Sequence, residues 1–508
     1  MNGLNTIKKL CRGGATGRMI CAAVATAVLS VLPCAAQTDE FHRWWQRTDQ
    51  ESLPLVNLSV DMQQLNTDTY TQATVTIADH RQRTQAGRDM VSYDCQVKYR
   101  GMTSKRYPKK SLAMKLVDAG GEKLDAPLFG LRNENNWILD GMYKDRLRMK
   151  NRVCFDVWNA MSGTPYETNF YGRNGTVGLF VNLFFNGRYQ GLYCLSDKVD
   201  RKLLGLKKYR SGDDGTSTVR GLLYKGYSNG LGHDLMHYDP QADMRKDIWN
   251  AWELQYPDEI PSADTWQPLC ELMDFCSEDT PDASFTEHYR EYFYPDNLAD
   301  YVVFMLTLNV LDNLWKNTFL STPDIGQGHR WLVTPWDMDG SLGAWFDGEY
   351  HPWRASFHRM DSIAPFDRLV VRGLDGFHGR LVQSWNRCKD SVLHPDSIFQ
   401  RLDSYAQSFM RDSTWERETA LWGSDPAAFL MKPLEEELAY TKEWYRMNYN
   451  FVAGLMTTLG IGDTPAGDGK SGRQPQGQSR FVMRIDGRPA LRLSGPGIYF
   501  DNGKKRLH

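Results

Sequence analysis

Apolar and polar positions alternate through the first third of the chain. Residues 56–60, 73–77, 90–99 and 111–117 carry β-branched or every-other-residue apolar patterns separated by polar turns, which predicts half-buried strands. A shorter strand is predicted over 136–143, and Asp145 then opens a helix that runs to about Met161 and stops at Ser162-Gly163. Residues 177–185 and 189–195 flank Asn186-Gly187, a strong hairpin signal, and a further strand follows at 221–225. Beyond it the pattern turns helical. Pro295-Asp296 starts a helix to about Asn309, and Pro433 precedes a long one over 434–459 with Glu435, Glu436 and Glu437 in its first turn, where acids suit the helix dipole. Strands at 318–321 and 330–334 interrupt that half. The order predicts an α+β protein of two lobes, a β-rich N-lobe with one embedded helix and a mainly helical C-lobe.

Both ends read differently from the middle. Lys8, Lys9, Arg12 and Arg18 precede an apolar run to Leu32 and then Pro33-Cys34-Ala35-Ala36, so residues 1–36 are expected to be a signal peptide cut after Ala36. The apolar run falls short of the roughly 20 residues that span a bilayer, and no later stretch is long and apolar enough. The mature chain is expected to be exported, without a membrane span. Its main domain is expected over 37–460, a Pro/Gly/Ser/Gln-rich linker over 461–480, and a short β-type tail over 481–508.

Composition narrows the classes further. With 41% hydrophobic residues in a chain of 508, a disordered or collagen-like protein is excluded. Sixty basic against 62 acidic residues give no generally basic body for nucleic acid. Export permits disulfides, but the six cysteines beyond the leader show no CxxC or zinc-type spacing. Cys95, Cys154 and Cys194 read as buried thiols. Cys270 and Cys276 are six residues apart on a helical segment, about 9 Å, too far to bridge.

The densest candidate chemistry lies between Asp312 and Gly343. Asp312 precedes Asn317 by five residues; a hairpin follows, and its second strand runs into Trp336-Asp337-Met338-Asp339. A carboxylate, an amide, a hairpin and a carboxylate at a strand end form the layout of phosphoryl-transfer sites, in which one Asp handles the nucleophile and the Asn and later Asp hold Mg²⁺. Asn317, Asp337 and Asp339 are therefore candidate metal ligands. The plainer alternative makes these carboxylates turn residues. A basic loop with Arg100, Lys110 and Lys115 is a candidate phosphate cradle or an ordinary solvated hairpin loop. Tyr224 and Trp331 are candidate adenine platforms, with core packing as the competing role. His233-Asp234-Leu235-Met236-His237 imitates a zinc-protease helix, but its acid is Asp and glycines at 230 and 232 leave little room for a helix.

Five blocks together resemble the spore-coat CotH kinase family of atypical, secreted or surface protein kinases. They are Arg100-Gly101 through Lys115; Trp137-Ile138-Leu139 with Asp145 and Asn151; Asn186-Gly187 through Tyr193 with Asp197-Lys198; Asn309 through Asn317; and Pro335 through Asp339. The resemblance implies a kinase-like fold with the embedded helix as the αC equivalent, Asp312 as the catalytic Asp, and Asn317 and Asp337 as metal ligands. It implies transfer of the ATP γ-phosphoryl, with Mg²⁺ or Mn²⁺, to a Ser/Thr hydroxyl of a protein acceptor, the chain itself among the options. Met102, Lys150 and Asp197 depart from the expected Asn, Arg and Glu. A non-catalytic surface module for peptide or glycan is the competing class, suggested by Trp345, Phe346, Tyr350, Trp353 and Phe357 after the metal motif; a third is nucleotidyl transfer. The tail resembles C-terminal sorting segments of exported Bacteroidota proteins.

Overall fold

The computed structural model describes residues 39 to 462, apart from short internal stretches, and four short strands between 482 and 507. The expected leader, the whole of the linker beyond residue 462, and Phe346 and Phe357 lie outside the described residues.

Seven strands close into a barrel. They are β1 (Leu55–Val60), β2 (Thr71–Ala78), β3 (Met90–Arg100), β4 (Ser111–Leu116), β5 (Asn136–Asp140), β6 (Gly178–Phe185) and β7 (Arg188–Ser196). The order is β1-β2-β3-β4-β5-β7-β6, and β1 pairs in parallel with β6 to complete the ring. Alternate residues such as Val56 and Leu58, Val75 and Ile77, and Leu112 and Met114 fill one apolar cluster with Trp137 and Leu139. The β6–β7 turn has Asn186 at φ 50° and Gly187 at φ 76°, the left-handed pair that an Asn-Gly hairpin turn requires. Short α1 (Glu40–Trp45) lays Phe41 and Trp44 edge-on against Phe184 of β6.

The embedded helix starts later than the sequence pattern predicts. It is α2 (Lys150–Met161), and Asp145 lies outside it. The Asp145 carboxylate accepts from the Leu147 and Lys150 amides at 2.9 and 2.6 Å, while Arg148 stands at φ 56° and breaks the helical path. The helix is capped at Met149, and the turn between Asp145 and that cap is not encoded in the apolar pattern.

A second sheet draws on both halves of the chain. It contains β8 (Leu222–Gly226), β9 (Ile248–Trp249), β10 (Trp252–Tyr256), β11 (Thr318–Thr322) and β12 (Leu332–Pro335), in the order β9-β10-β8-β11-β12. Helices α3 (Ala263–Cys276), α4 (Asp282–Tyr292), α5 (Pro295–Leu308), α6 (Phe377–Cys388), α7 (Pro395–Met410), α8 (Thr414–Trp422) and α9 (Leu434–Gly462) are the remaining α-helices of the described residues. From residue 297 to 308 every side chain of α5 is buried, so this helix is the axis of the second core. That core also takes Val153, Phe155 and Trp158 of α2.

The class is thus α+β, as expected. The β-rich first half closes into a barrel, and a separate sheet brings together strands from residue 222 to 335. The six described cysteines are free and buried, among them Cys95, Cys154 and Cys194, whose apolar runs predict it. At the tail, β13 (Ile498–Asp501) and β14 (Lys504–Leu507) pair antiparallel, with Ile498 opposite Leu507.

Candidate active site

Barrel, α2 and second sheet meet around a cavity of about 800 Å³. The barrel contributes the strand-end residues Arg100, Ser111 and Asp140, α2 contributes Asn151 and Phe155, and β8 contributes Lys225. Asp312, Lys316, Asn317, Trp336, Asp337 and Asp339 line it as well. The two carboxylate motifs, separated in sequence by a hairpin, therefore share one space.

Their loop is held by the core beneath it. Helix α5 ends at Asn309 in the left-handed region (φ 50°), which turns the chain towards the cavity. The Asn313 amide donates to the carbonyls of Asn317 and Trp336 at 2.8 and 2.7 Å, and the Trp315 indole donates to the Ala364 carbonyl at 2.7 Å. The Asn317 N–H donates to the Gly226 carbonyl at 3.2 Å, joining the loop to β8. Gly226 is needed there, since a Cβ would lie 1.6 Å from the Trp315 carbonyl oxygen. Asn317 and Asp337 both sit at positive φ, 53° and 56°.

The electrostatics are those of crowded carboxylates. The Asp312 carboxylate accepts from Lys316 Nζ at 2.6 Å and from the Asn317 amide at 3.1 Å. Asp337 opens onto the cavity yet is enclosed by protein atoms; burial, then Asp140, push its pKa up, while Lys225 and Arg100 oppose the rise. Asp339 is pushed well above the ordinary range by burial, then by Asp337, Asp140 and Asp145. Burial lowers the Lys225 pKa, with Asp337 and Glu253 working against it. Asn151 bridges the motifs: its amide N–H₂ reaches Asp140 at 3.5 Å and its oxygen accepts from the Met338 N–H at 3.1 Å.

This donor set fits a hard cation. Asp337, Asp339 and Asn317 present only oxygen ligands, and carboxylates that raise one another's pKa are relieved by a bound positive charge. Among the described residues no three His, Cys, Asp or Glu groups form a ready metal cage. Magnesium commonly takes one or two carboxylates and completes its shell with phosphate and water.

The remaining expected site residues divide. Arg100 lines the cavity and lies over the Trp336 ring at 5.8 Å. Lys110 and Lys115 do not line it: the Lys110 ammonium donates to the Lys105 carbonyl, and Lys115 lies over the Tyr70 ring at 4.6 Å. Tyr224 and Trp331 also stay outside. Tyr224 stacks on Trp266 with its hydroxyl on the Thr265 carbonyl, and Trp331 is fully buried against it. Strand alternation gives the reason. Tyr224 and Lys225 point to opposite faces of β8, so the core received the aromatic and the cavity the lysine. The aromatic residues that do line the cavity include Tyr107, Tyr143, Tyr227 and Trp336.

Lys225, Asp140 and Lys316 were missed by sequence reasoning. Only Lys225 carried a usable signal, as the neighbour of a buried Tyr in an alternating strand. The zinc-like His pair is a turn, with Leu235 at φ 58° and His237 Nδ1 2.6 Å from Asp234, not one face of a helix. Asp197 is buried between Arg132 (2.9 Å) and Arg173 (3.0 Å), a barrel-end brace. Lys150 is buried 4.4 Å from the Tyr350 ring, where burial pushes its pKa down to about 8. Of the aromatics after the metal motif, Tyr350 stacks on Tyr440 and Trp353 packs edge-on to Phe451, while Trp345 stays partly exposed.

An Asp/Asn/Asp set beneath a basic strand-end arginine, in a cavity large enough for a nucleotide, defines a candidate phosphotransferase. Residues 97–452 match the model of the CotH kinase protein family, and the chain belongs to that family. No curated protein matches the chain.

Proposed function

We propose that this protein is a bilobal, kinase-like enzyme that transfers the γ-phosphoryl of ATP to a Ser/Thr hydroxyl of a protein acceptor. The observation that carries this reading is the convergence of Asp312, Asn317, Asp337 and Asp339 on one cavity with Arg100 and Lys225. The separate apolar clusters of barrel and helices support the two-lobe description, and family membership supports the kinase class.

Each residue then has a task. Asn317 and Asp337, with Asp339, would hold Mg²⁺ or Mn²⁺, which when bound neutralises phosphate charge and orients the nucleotide. Arg100 and Lys225 offer positive charge to the phosphates. Asp312 accepts the proton of the acceptor hydroxyl as its oxygen bonds to the γ-phosphorus and the bond to the ADP oxygen breaks. Lys316, 2.6 Å away, holds the Asp312 carboxylate in place.

The same reading includes an N-terminal signal peptide cleaved after Ala36 and an exported site of action. Among the described residues no helix is long and apolar enough to cross a membrane. The test is purified mature protein with labelled ATP and Mg²⁺ or Mn²⁺, followed by mass spectrometry. Phosphoserine or phosphothreonine that disappears in the Asp312→Asn variant supports the proposal. Absence of any metal-dependent nucleotide binding overturns it.

A further inference from the structure

A buried ion triad ties the cavity to a helix that contributes nothing to its lining. Glu418, on α8, has its carboxylate fully buried and accepts from Lys109 Nζ at 2.6 Å and Arg148 Nε at 2.7 Å, both on the same oxygen. Its other oxygen accepts from the Leu192 N–H of β7 at 2.8 Å. Lys109 and Arg148 are themselves wholly buried. Lys109 also donates to the Leu192 carbonyl at 2.6 Å, and the residue is among those lining the cavity. Arg148 Nη1 lies within hydrogen-bond distance of the carbonyls of Met142, Tyr143 and Asp145, at 3.0, 2.7 and 2.8 Å, and Nη2 donates to Met431 Sδ at 3.3 Å. One carboxylate therefore holds two walls: the basic loop before β4, and the turn that carries Asp145 into α2.

The surroundings are shaped for it. A Cβ at Gly191 would lie 2.5 Å from Glu418 Oε2, so that glycine leaves the carboxylate its space. The Trp422 indole, one helical turn on, donates to the Gln190 carbonyl at 2.8 Å and seats α8 on the same strand. Burial opposes the Glu418 charge, and Lys109 and Arg148 outweigh it, keeping the carboxylate below its ordinary range. Buried charges of this kind contribute little net stability against an apolar core, but they specify one arrangement of the groups they bind.

We propose that Glu418 is a positioning residue, which sets the relative placement of the Lys109 loop and the 142–148 turn and so shapes the nucleotide side of the cavity. Its activity arm rests on the phosphotransferase reading; its structural arm does not.

The structural arm is hydrogen exchange followed by mass spectrometry on the full chain without nucleotide. Glu418→Gln should exchange about tenfold faster at residues 105–111 and 142–149, with α5 and β1–β3 at wild-type rates. Unchanged rates in the two loops, or a uniform rise that includes α5, would overturn the proposal. Should Glu418→Gln fail to fold, the pair K109Q/E418Q leaves no lone lysine charge and is read by the same criterion. The activity arm is the KM for ATP. A mispositioned wall raises it several-fold, whereas simple loss of folded enzyme lowers the apparent kcat alone and refutes the role. A wild-type protein that ignores Mg²⁺-ATP removes the kinase reading, and the exchange result still decides for or against Glu418.

Discussion

Replacing Asp337 with Asn separates the two effects that the carboxylate cluster exerts. Asn is the substitution of choice because residue 337 stands at φ 56°, where Asn is tolerated and Ala is strained. In the ligand-free protein Asp337 repels Asp140, Asp312 and Asp339. Two like charges about 5 Å apart in a medium of effective dielectric near 20 repel by about 3 kcal/mol. Lys225 and Arg100 offset part of this, so removing the charge should stabilise the free protein by on the order of 1 kcal/mol, about 2 °C or less in Tm for a chain of this size. With metal and nucleotide present the sign reverses, since the lost ligand is worth several kcal/mol, or on the order of 10³-fold in turnover. The pH dependence follows from the same groups. Asp337 and Asp339 have folded pKa values above the ordinary 3.8, so the stability they contribute is whole below that value and is lost as pH rises through the folded values. The Tm difference between Asp337→Asn and wild type should therefore be near zero at about pH 4 and grow towards neutrality. Differential scanning fluorimetry across pH, with and without Mg²⁺-ATP, measures all three quantities. A variant that is less stable when free, or that keeps the full Mg²⁺-ATP shift, would refute the cluster as a metal-binding device.

Asp312→Asn should keep most nucleotide affinity by calorimetry and lose turnover, since proton transfer matters mainly in the transition state; equal activity would make Asp312 a turn residue. The adjacent pair on β8 should behave oppositely. Lys225→Met should weaken nucleotide binding about tenfold or more, and Tyr224→Phe should cost about 1 kcal/mol of stability in denaturant titration with binding unchanged. Gly226→Ala pushes a methyl into the Trp315 carbonyl at 1.6 Å; it should destabilise the chain by several kcal/mol and abolish binding, and a wild-type Tm would argue against the loop geometry. Deleting residues 465–508 should leave the Mg²⁺-ATP thermal shift intact, as read by fluorimetry on the truncated protein.

Strand and helix placement was largely legible because local pattern decides it. The alternation that predicts β1 to β7 is the pleat that fills the barrel, and the Asn-Gly turn adopts the only conformation such a pair favours. Barrel closure was not legible. It depends on β1 meeting β6 in parallel, with Leu55 opposite Asn182, a pairing that no local signal encodes. For the same reason the helices from 377 to 422 read as a helical region without individual roles, although one of them supplies Glu418.

In the candidate site the division follows how far apart the partners lie. Asp312, Asn317, Asp337 and Asp339 stand out in the sequence because five-residue spacing and a connecting hairpin are local facts, and the hairpin brings them to one cavity. Lys110, Lys115, Tyr224 and Trp331 lie outside the cavity that Arg100 lines; residue type does not reveal direction. A one-residue step along β8 sends Tyr224 into the core and Lys225 into the cavity. Asp140, Lys109 and Glu418 acquire meaning only when chain segments up to 309 residues apart are packed together. Most strands and helices, the α+β class, the family resemblance and the carboxylate motif are carried by neighbours along the chain and are readable there. Which charges face one another emerges only on packing, because burial and charge pairing are properties of packed surfaces.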